Sequence, residues 1–289
     1  MIEVDVPAES PGDWDQIIES KSGLLDLRLK EIWQYRDLLL MFVKRDFISF
    51  YKQTILGPIW FFIQPIFTMG VYVFVFGNLA GLSTDGIPQP LFYLTGITAW
   101  TYFSDCLTKT SRVFQDNVAI FGKVYFPRII MPLSIVVSNL VRFGVQFLLL
   151  IIVYIFFILT GWKPHITSYV FLYPILVAVL ALLGLGIGMI VSALTTKYRD
   201  LALLVQFSVQ LLMYGTAVVY PLSSLSGKWY SIIAANPLSF IVEGMRLGLF
   251  GEGVFDLSKF AYSLLITLVI LFAGVIIFNK VEKSFVDTV

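Results

Sequence analysis

Asn139, Arg142 and Gln146 recur at i, i+3 and i+7 in an otherwise apolar stretch, which puts them on one face of a helix. A second polar set, Gln206 and Gln210 followed by Tyr214, steps by four in another apolar stretch. Glu243 and Arg246 stand three residues apart, the spacing of an ion pair along a helix. The chemistry these groups offer is recognition: hydrogen bonds from amides, charge neutralisation by a cation, contact from an aromatic ring. Arg142 lies 13 residues beyond Ile129, or roughly 20 Å along a helix. Burial there costs at least ~2.5 kcal/mol, so the guanidinium must face protein, water or an anionic group. The two amide sets, with Arg142 and Tyr214, suggest an internal polar path; hydrogen bonding between helices without a conduit is the alternative.

Catalysis is much harder to assemble. The only histidine is His165 and the only cysteine Cys106, which excludes a His-based metal site, a Ser-His-Asp triad and an internal disulfide. The run GLGIGM over 184–189 follows no strand and has no Lys-Ser/Thr after it, so it is not a phosphate loop. Its small residues suit close helix packing instead. No metal or cofactor is expected in this chain, and it cannot hydrolyse ATP by itself.

The elements that carry these side chains are set by composition. Of 289 residues, 58% are hydrophobic and only 13% charged, against roughly a quarter charged in soluble domains. With a mean hydropathy of +0.85, the class is all-α integral membrane protein. Six stretches approach the ~20 residues that cross a bilayer: about 54–77, 91–110, 129–159, 168–195, 201–220 and 259–278. The second is the least apolar, and holds Asp105 and Lys109 as i,i+4 partners able to reach the headgroups together. With the N-terminus inside, fifteen of the twenty Lys and Arg fall on the inner side and four outside. Both termini are therefore expected in the cytoplasm. The net charge of +1 does not point to nucleic acid, and no such partner is expected.

Residues 1–26 read as an acidic cytoplasmic lead-in and 27–289 as the membrane domain. Over 35–53 one helical face carries Leu39, Phe42, Val43, Phe47 and Phe50 and the other Asp37, Lys44, Arg45, Ser49 and Lys52. This predicts an interfacial amphipathic helix, with Asp46 on the wrong side. Between the fifth and sixth spans, 236–251 is apolar but too short to cross. Short re-entrant helices on the outer side are expected there, with Asn236 before the second helix, Pro237 just inside its start, and Glu243 paired with Arg246. On the inner side, IFGKVYFPRIIMP over 120–132 predicts a rigid loop. Pro127 holds Phe126 extended, Pro132 is tolerated in the first turn of the next span, Lys123 and Arg128 sit in water or at headgroups, and Val124, Tyr125 and Phe126 form an apolar knob.

Four blocks carry a family resemblance: YKQTILGPIWFFIQP (51–65), FGKVYFPRIIMPLS (121–134), KYRDL (197–201) and NPLSFIVEGMRLGLFG (236–251). In that order they resemble the membrane subunits of type-2 ABC exporters that handle lipid-linked polysaccharide. The resemblance implies two copies of this chain with two ATPase subunits, ATP and Mg residing on the latter. It implies that Phe121, Gly122, Lys123, Val124, Tyr125, Phe126, Pro127 and Arg128 form a coupling element on the ATPase. It further implies an exit gate in the outer helices that carry Asn236, Pro237, Glu243 and Arg246. The implied cargo is an undecaprenyl-diphosphate-linked glycan: O-antigen, wall teichoic acid or a capsule-like chain. O-antigen leads because RDLLLMFVKRDFISFYKQTILGP looks most like Gram-negative members, whose home is the inner membrane. A type-2 exporter of a drug or small lipid and a stand-alone channel or carrier are the alternatives.

Overall fold

Every regular element among the described residues is helical. The computed structural model describes residues 29–52, 57–124, 126–198 and 200–286; the lead-in over 1–26, Tyr125 and Arg199 lie outside them. The chain opens with α1 (Leu29–Gln34) and α2 (Arg36–Lys52). Next is α3 (Trp60–Tyr72), which runs on as a π-helical segment, Val73–Leu79. Then follow α4 (Gln89–Ser111), the short α5 (Val113–Asp116) and α6 (Val118–Phe121), and α7 (Ile130–Leu159). The chain closes with α8 (Tyr173–Lys197), α9 (Leu201–Tyr214), α10 (Gly227–Ala234), α11 (Pro237–Phe250) and α12 (Leu257–Val286).

Among the described residues, four stretches are long and apolar enough to cross a membrane: Trp60–Leu79, Ile130–Leu159, Ser168–Lys197 and Leu257–Glu282. They answer the first, third, fourth and sixth expected spans. A fifth is reached if α10 and α11, bent by 91° at a short break, count as one. The other two expected spans depart for opposite reasons. With 23 residues, or ~34 Å, α4 has the length but is too polar. Its place in the fold explains why that is tolerated. It lies against α3, α7, α8, α9 and α11, so Thr95, Thr98, Thr110 and Ser111 are enclosed by protein and no all-round lipid-facing surface is needed. By contrast α9, expected over 201–220, ends at Tyr214 after 14 residues, or ~21 Å. The chain then turns without helix, and Thr216, Ala217, Val218 and Val219 are buried as irregular backbone.

The other central helix is α8, packed on α4 along one side and α12 along another. The small residues of GLGIGM make both contacts possible. A Cβ at Gly184 would lie 2.8 Å from the Phe103 carbonyl oxygen and one at Gly188 2.6 Å from Thr110 Cβ, while one at Gly186 would meet Leu271 Cα at 2.8 Å. All three are backbone or near-backbone collisions. Gly188→Leu is accordingly expected to separate α8 from α4 at a cost of about 3 kcal/mol, the upper end of the usual effect of overpacking; a monodisperse, undiminished yield in detergent would refute that packing.

At the end of the bundle that holds residues 112–130, a separate aromatic core joins α2, α5, α6 and α12. Phe114 stacks on Phe278 at 4.7 Å, Phe121 lies 5.9 Å from Phe126, and Phe126 lies 5.7 Å from Phe42. With Arg112, Lys123 and Arg128, this is the basic end of the bundle. At the opposite end, Asp256 starts α12 by accepting hydrogen bonds from the Ser258 hydroxyl and amide, which hold its carboxyl below the usual carboxylate range.

Candidate functional site

Arg142 projects from α7 into the junction of α3 and α4. Its Nη1 donates to Asp105 Oδ2 at 2.5 Å and its Nη2 to Gln64 Oε1 at 2.8 Å. The guanidinium also sits 5.5 Å from the Phe61 ring centre. Both charged side chains are about one-fifth exposed, at 18% and 20%. Asn139, one turn earlier, accepts from Lys109 Nζ at 2.7 Å, and that ammonium is 3.8 Å from Asp105. Thus Asp105 and Lys109 do lie close, but each makes its shorter contact with α7. The misplaced Asp46 of α2 finds its reason here: it receives the Ser138 hydroxyl at 3.4 Å and pairs with Arg45 at 2.7 Å. A carboxylate on the packed face of an amphipathic helix is tolerated where donors await it.

Two small cavities open along this seam. One of about 80 Å³ is bordered by Asp46, Phe61, Lys109, Ser138, Asn139 and Arg142. The other, about 150 Å³, is lined by Gln64, Thr68, Tyr72, Trp100, Gln146 and Met213. Gln64 joins them, since it bonds Arg142 and faces the second. Asn139, Arg142 and Gln146 therefore share one polar seam, and the first two also tie helices together. Gln206, Gln210 and Tyr214 are not part of its lining. They lie on the exposed side of α9, which turns Val209 and Met213 inward.

The second polar centre is enclosed. Asn236 caps α11 by accepting from the Leu238 amide at 3.1 Å, and Pro237 follows at the first helical position. Asn236 also donates to the Gly215 carbonyl at 2.9 Å, holding the end of α9. Glu243 and Arg246 pair at 3.0 Å, with their side chains 0% and 1% exposed. Arg246 donates to the Ala217 carbonyl at 2.6 Å and the Val218 carbonyl at 2.7 Å, and lies 3.5 Å from the Phe92 ring centre. Glu243 accepts from the Leu222 and Val254 amides at 3.4 and 3.2 Å. The pair thus supplies partners to the irregular backbone that follows α9, which would otherwise be buried without them.

Residues 121–128 differ in detail from the expected knob. Phe121 and Phe126 point inward and are 7% and 4% exposed. Arg128 lies over the Phe121 ring at 5.3 Å and donates to the Glu282 carbonyl of α12 at 3.2 Å. Aromatic burial outweighs display here because α2 and α12 offer an apolar wall. What remains exposed is Gly122, Lys123 and Val124, with Pro127 half-buried behind them.

Sequence reasoning passed over Asp105 as the counter-ion of Arg142, and passed over Gln64. The signal for the first was present: an acid in the most polar span is a natural partner for a deep arginine. Nothing in the spacing pointed to Gln64, which comes from a third helix. Among the described residues, no three His, Cys, Asp or Glu side chains gather to hold a metal ion.

A family model described as ABC-2 type transporter matches residues 37–250. The chain is 27% identical to the O-antigen export system permease protein RfbA of Myxococcus xanthus, over 90% of this chain and 98% of that one. It is 29% identical to the protein of the same name in Klebsiella pneumoniae, over 87% and 94%. The polysialic acid transport protein KpsM of Escherichia coli is 24% identical over 79% and 87%.

Proposed function

Because the chain belongs to the ABC-2 type transporter family, we propose that it is the permease subunit of an ATP-driven exporter of undecaprenyl-diphosphate-linked polysaccharide, with O-antigen as the cargo. The observation that carries this reading is the near end-to-end alignment with two permeases named for O-antigen export. The alternative, a capsule-like glycan, draws on the weaker similarity to a polysialic acid transport protein. The permease works as a pair with two copies of an ATPase subunit that binds ATP and Mg.

In this reading the basic end is cytoplasmic, as are both termini, and the chain crosses the inner membrane six times with α4 and α9 as the two atypical spans. A short α9 is tolerated because buried backbone stabilised by Arg246 continues it. Exposed Leu40, Met41, Phe47 and Ile48 support α2 as a helix lying in the interface. The bend between α10 and α11 gives them the form of a re-entrant pair, held as an outer gate. The exposed stripe of Gln206, Gln210 and Tyr214 faces a second copy and, with the seam of Asn139, Arg142 and Gln146, lines the route of the glycan. Amides and rings suit a sugar chain, since they bond hydroxyls and stack on pyranose faces without demanding one charge state.

The test is purification of the chain with its ATPase and measurement of ATP hydrolysis in nanodiscs. Polyprenyl-diphosphate-linked O-chain should stimulate it several-fold, and deletion of the gene should strip O-chain from the cell surface; unchanged surface polysaccharide would reject the cargo. Lys123→Glu, at the exposed tip of the coupling segment, should leave melting unchanged while cutting export per ATP hydrolysed by at least threefold. An unaltered ratio would remove that tip from the contact with the ATPase.

A further inference from the structure

The side of α9 opposite Gln206, Gln210 and Tyr214 borders a groove of about 380 Å³. Ile187, Val191 and Leu194 of α8 make one wall, while Leu204, Val205 and Ser208 of α9 make the other. Among the described residues of the lining, Ser208 has the only polar side chain. The groove is open at the surface, with Leu194, Leu204 and Ser208 exposed along it, and α9 buries only Val209 and Met213. Water is a poor filler, because a stable buried water needs two to four polar partners. Hydrocarbon meets no such demand.

The mouth of the groove carries charge. Leu194 lines it on one side of the α8–α9 turn and Leu201 on the other; Lys197, Tyr198 and the exposed Asp200, which sits at the N-cap of α9, lie between them in the chain. The Lys197 side chain is exposed and its ammonium is 5.2 Å from the Tyr198 ring centre. A cation and an aromatic ring at the basic end, with an apolar trough behind them, complement an anionic headgroup with a chain attached.

We propose that this groove is a binding site for one acyl chain of an anionic phospholipid, whose phosphate is held at Lys197. The lipid completes the packing of α9 on the side turned away from its polar stripe. The site stands independently of which cargo is exported.

The test uses the full chain in phosphatidylethanolamine vesicles that contain a trace of phosphatidylglycerol with a diazirine near the end of one acyl chain. After illumination, adducts should concentrate on Ile187, Val191, Leu204 and Ser208. Their density should exceed that on Ile155 and Phe156 of α7, which are 49% and 60% exposed, by at least fivefold. Ser208→Phe, which fills the trough, should reduce the groove adducts to the α7 level. Lys197→Glu should lower them at least threefold for phosphatidylglycerol and leave a diazirine phosphatidylcholine probe unaffected. Three results would overturn the site: equal labelling of groove and α7, an unlabelled groove, or labelling by a diazirine polyprenyl phosphate that phosphatidylglycerol does not compete away. The wild-type pattern decides between these even if a variant fails to fold.

Discussion

Arg246→Ala should lower the stability of the protein by about 3–5 kcal/mol, the usual effect of removing one partner from a buried ion pair. The cause is what the substitution leaves behind. Glu243 would stay fully enclosed without its cation, and the Ala217 and Val218 carbonyls would lose their donors. Export should fall with it, because Arg246 is the side chain that holds the Ala217 and Val218 carbonyls in the backbone between α9 and α10. Thermal unfolding in detergent should show a melting temperature lower by roughly 10 °C, and limited proteolysis should open the 215–226 segment first. Glu243→Gln should be milder, since an amide oxygen still accepts from Arg246 and from Leu222. Replacing the pair together by Met and Leu should recover part of the loss, as apolar substitutes for buried ion pairs often do. It should not recover all of it, because the two carbonyls remain unpartnered. An Arg246→Ala protein with unchanged melting would show that water reaches this centre freely.

Reversing Arg142 gives the second large effect. Arg142→Glu sets two carboxylates side by side at the junction of α3, α4 and α7 and strips Gln64 of its donor. Like charges this close disfavour joint ionisation, so the helices should part or the site take up a proton. Export is expected to drop more than tenfold while the protein still assembles, because the aromatic core at the basic end is untouched. Asp105→Arg combined with Arg142→Glu restores opposite charges and should regain a substantial share of export. The double-mutant cycle separates the two roles of Arg142. Full rescue by the swapped pair means that the residue serves only to join helices, whereas a rescued fold without rescued export means that a cation is needed on α7 itself. Normal export by the single reversal would remove the seam from the mechanism altogether.

How far the sequence reached can be judged from particular residues. Apolar runs of adequate length specified α3, α7, α8 and α12, because a bilayer imposes a length and a composition that any window can register. The glycines of 184–188 announced close helix packing, and the three-residue step from Glu243 to Arg246 announced their pairing, since both are properties of a single helix. The cap at Asn236 and Pro237 was likewise local. Other features depend on neighbours distant in sequence. No window of α4 reveals that it is a central helix, since its hydroxyls become acceptable only when other helices surround them. Asp46 looked out of place until Ser138 appeared across from it, and Arg142 had an obvious need for an anion but no visible one until α4 brought Asp105 within 2.5 Å. Phe126, expected in a surface knob, is an internal support, because the apolar wall that receives it comes from α2 and α12, more than 80 residues away on one side and more than 140 on the other. The sequence by itself determined the membrane class, the helices and the polar groups that needed partners, since burial cost and helical period act locally. Only the tertiary structure decided which partner each group received, because that choice is made between helices and no local period encodes it.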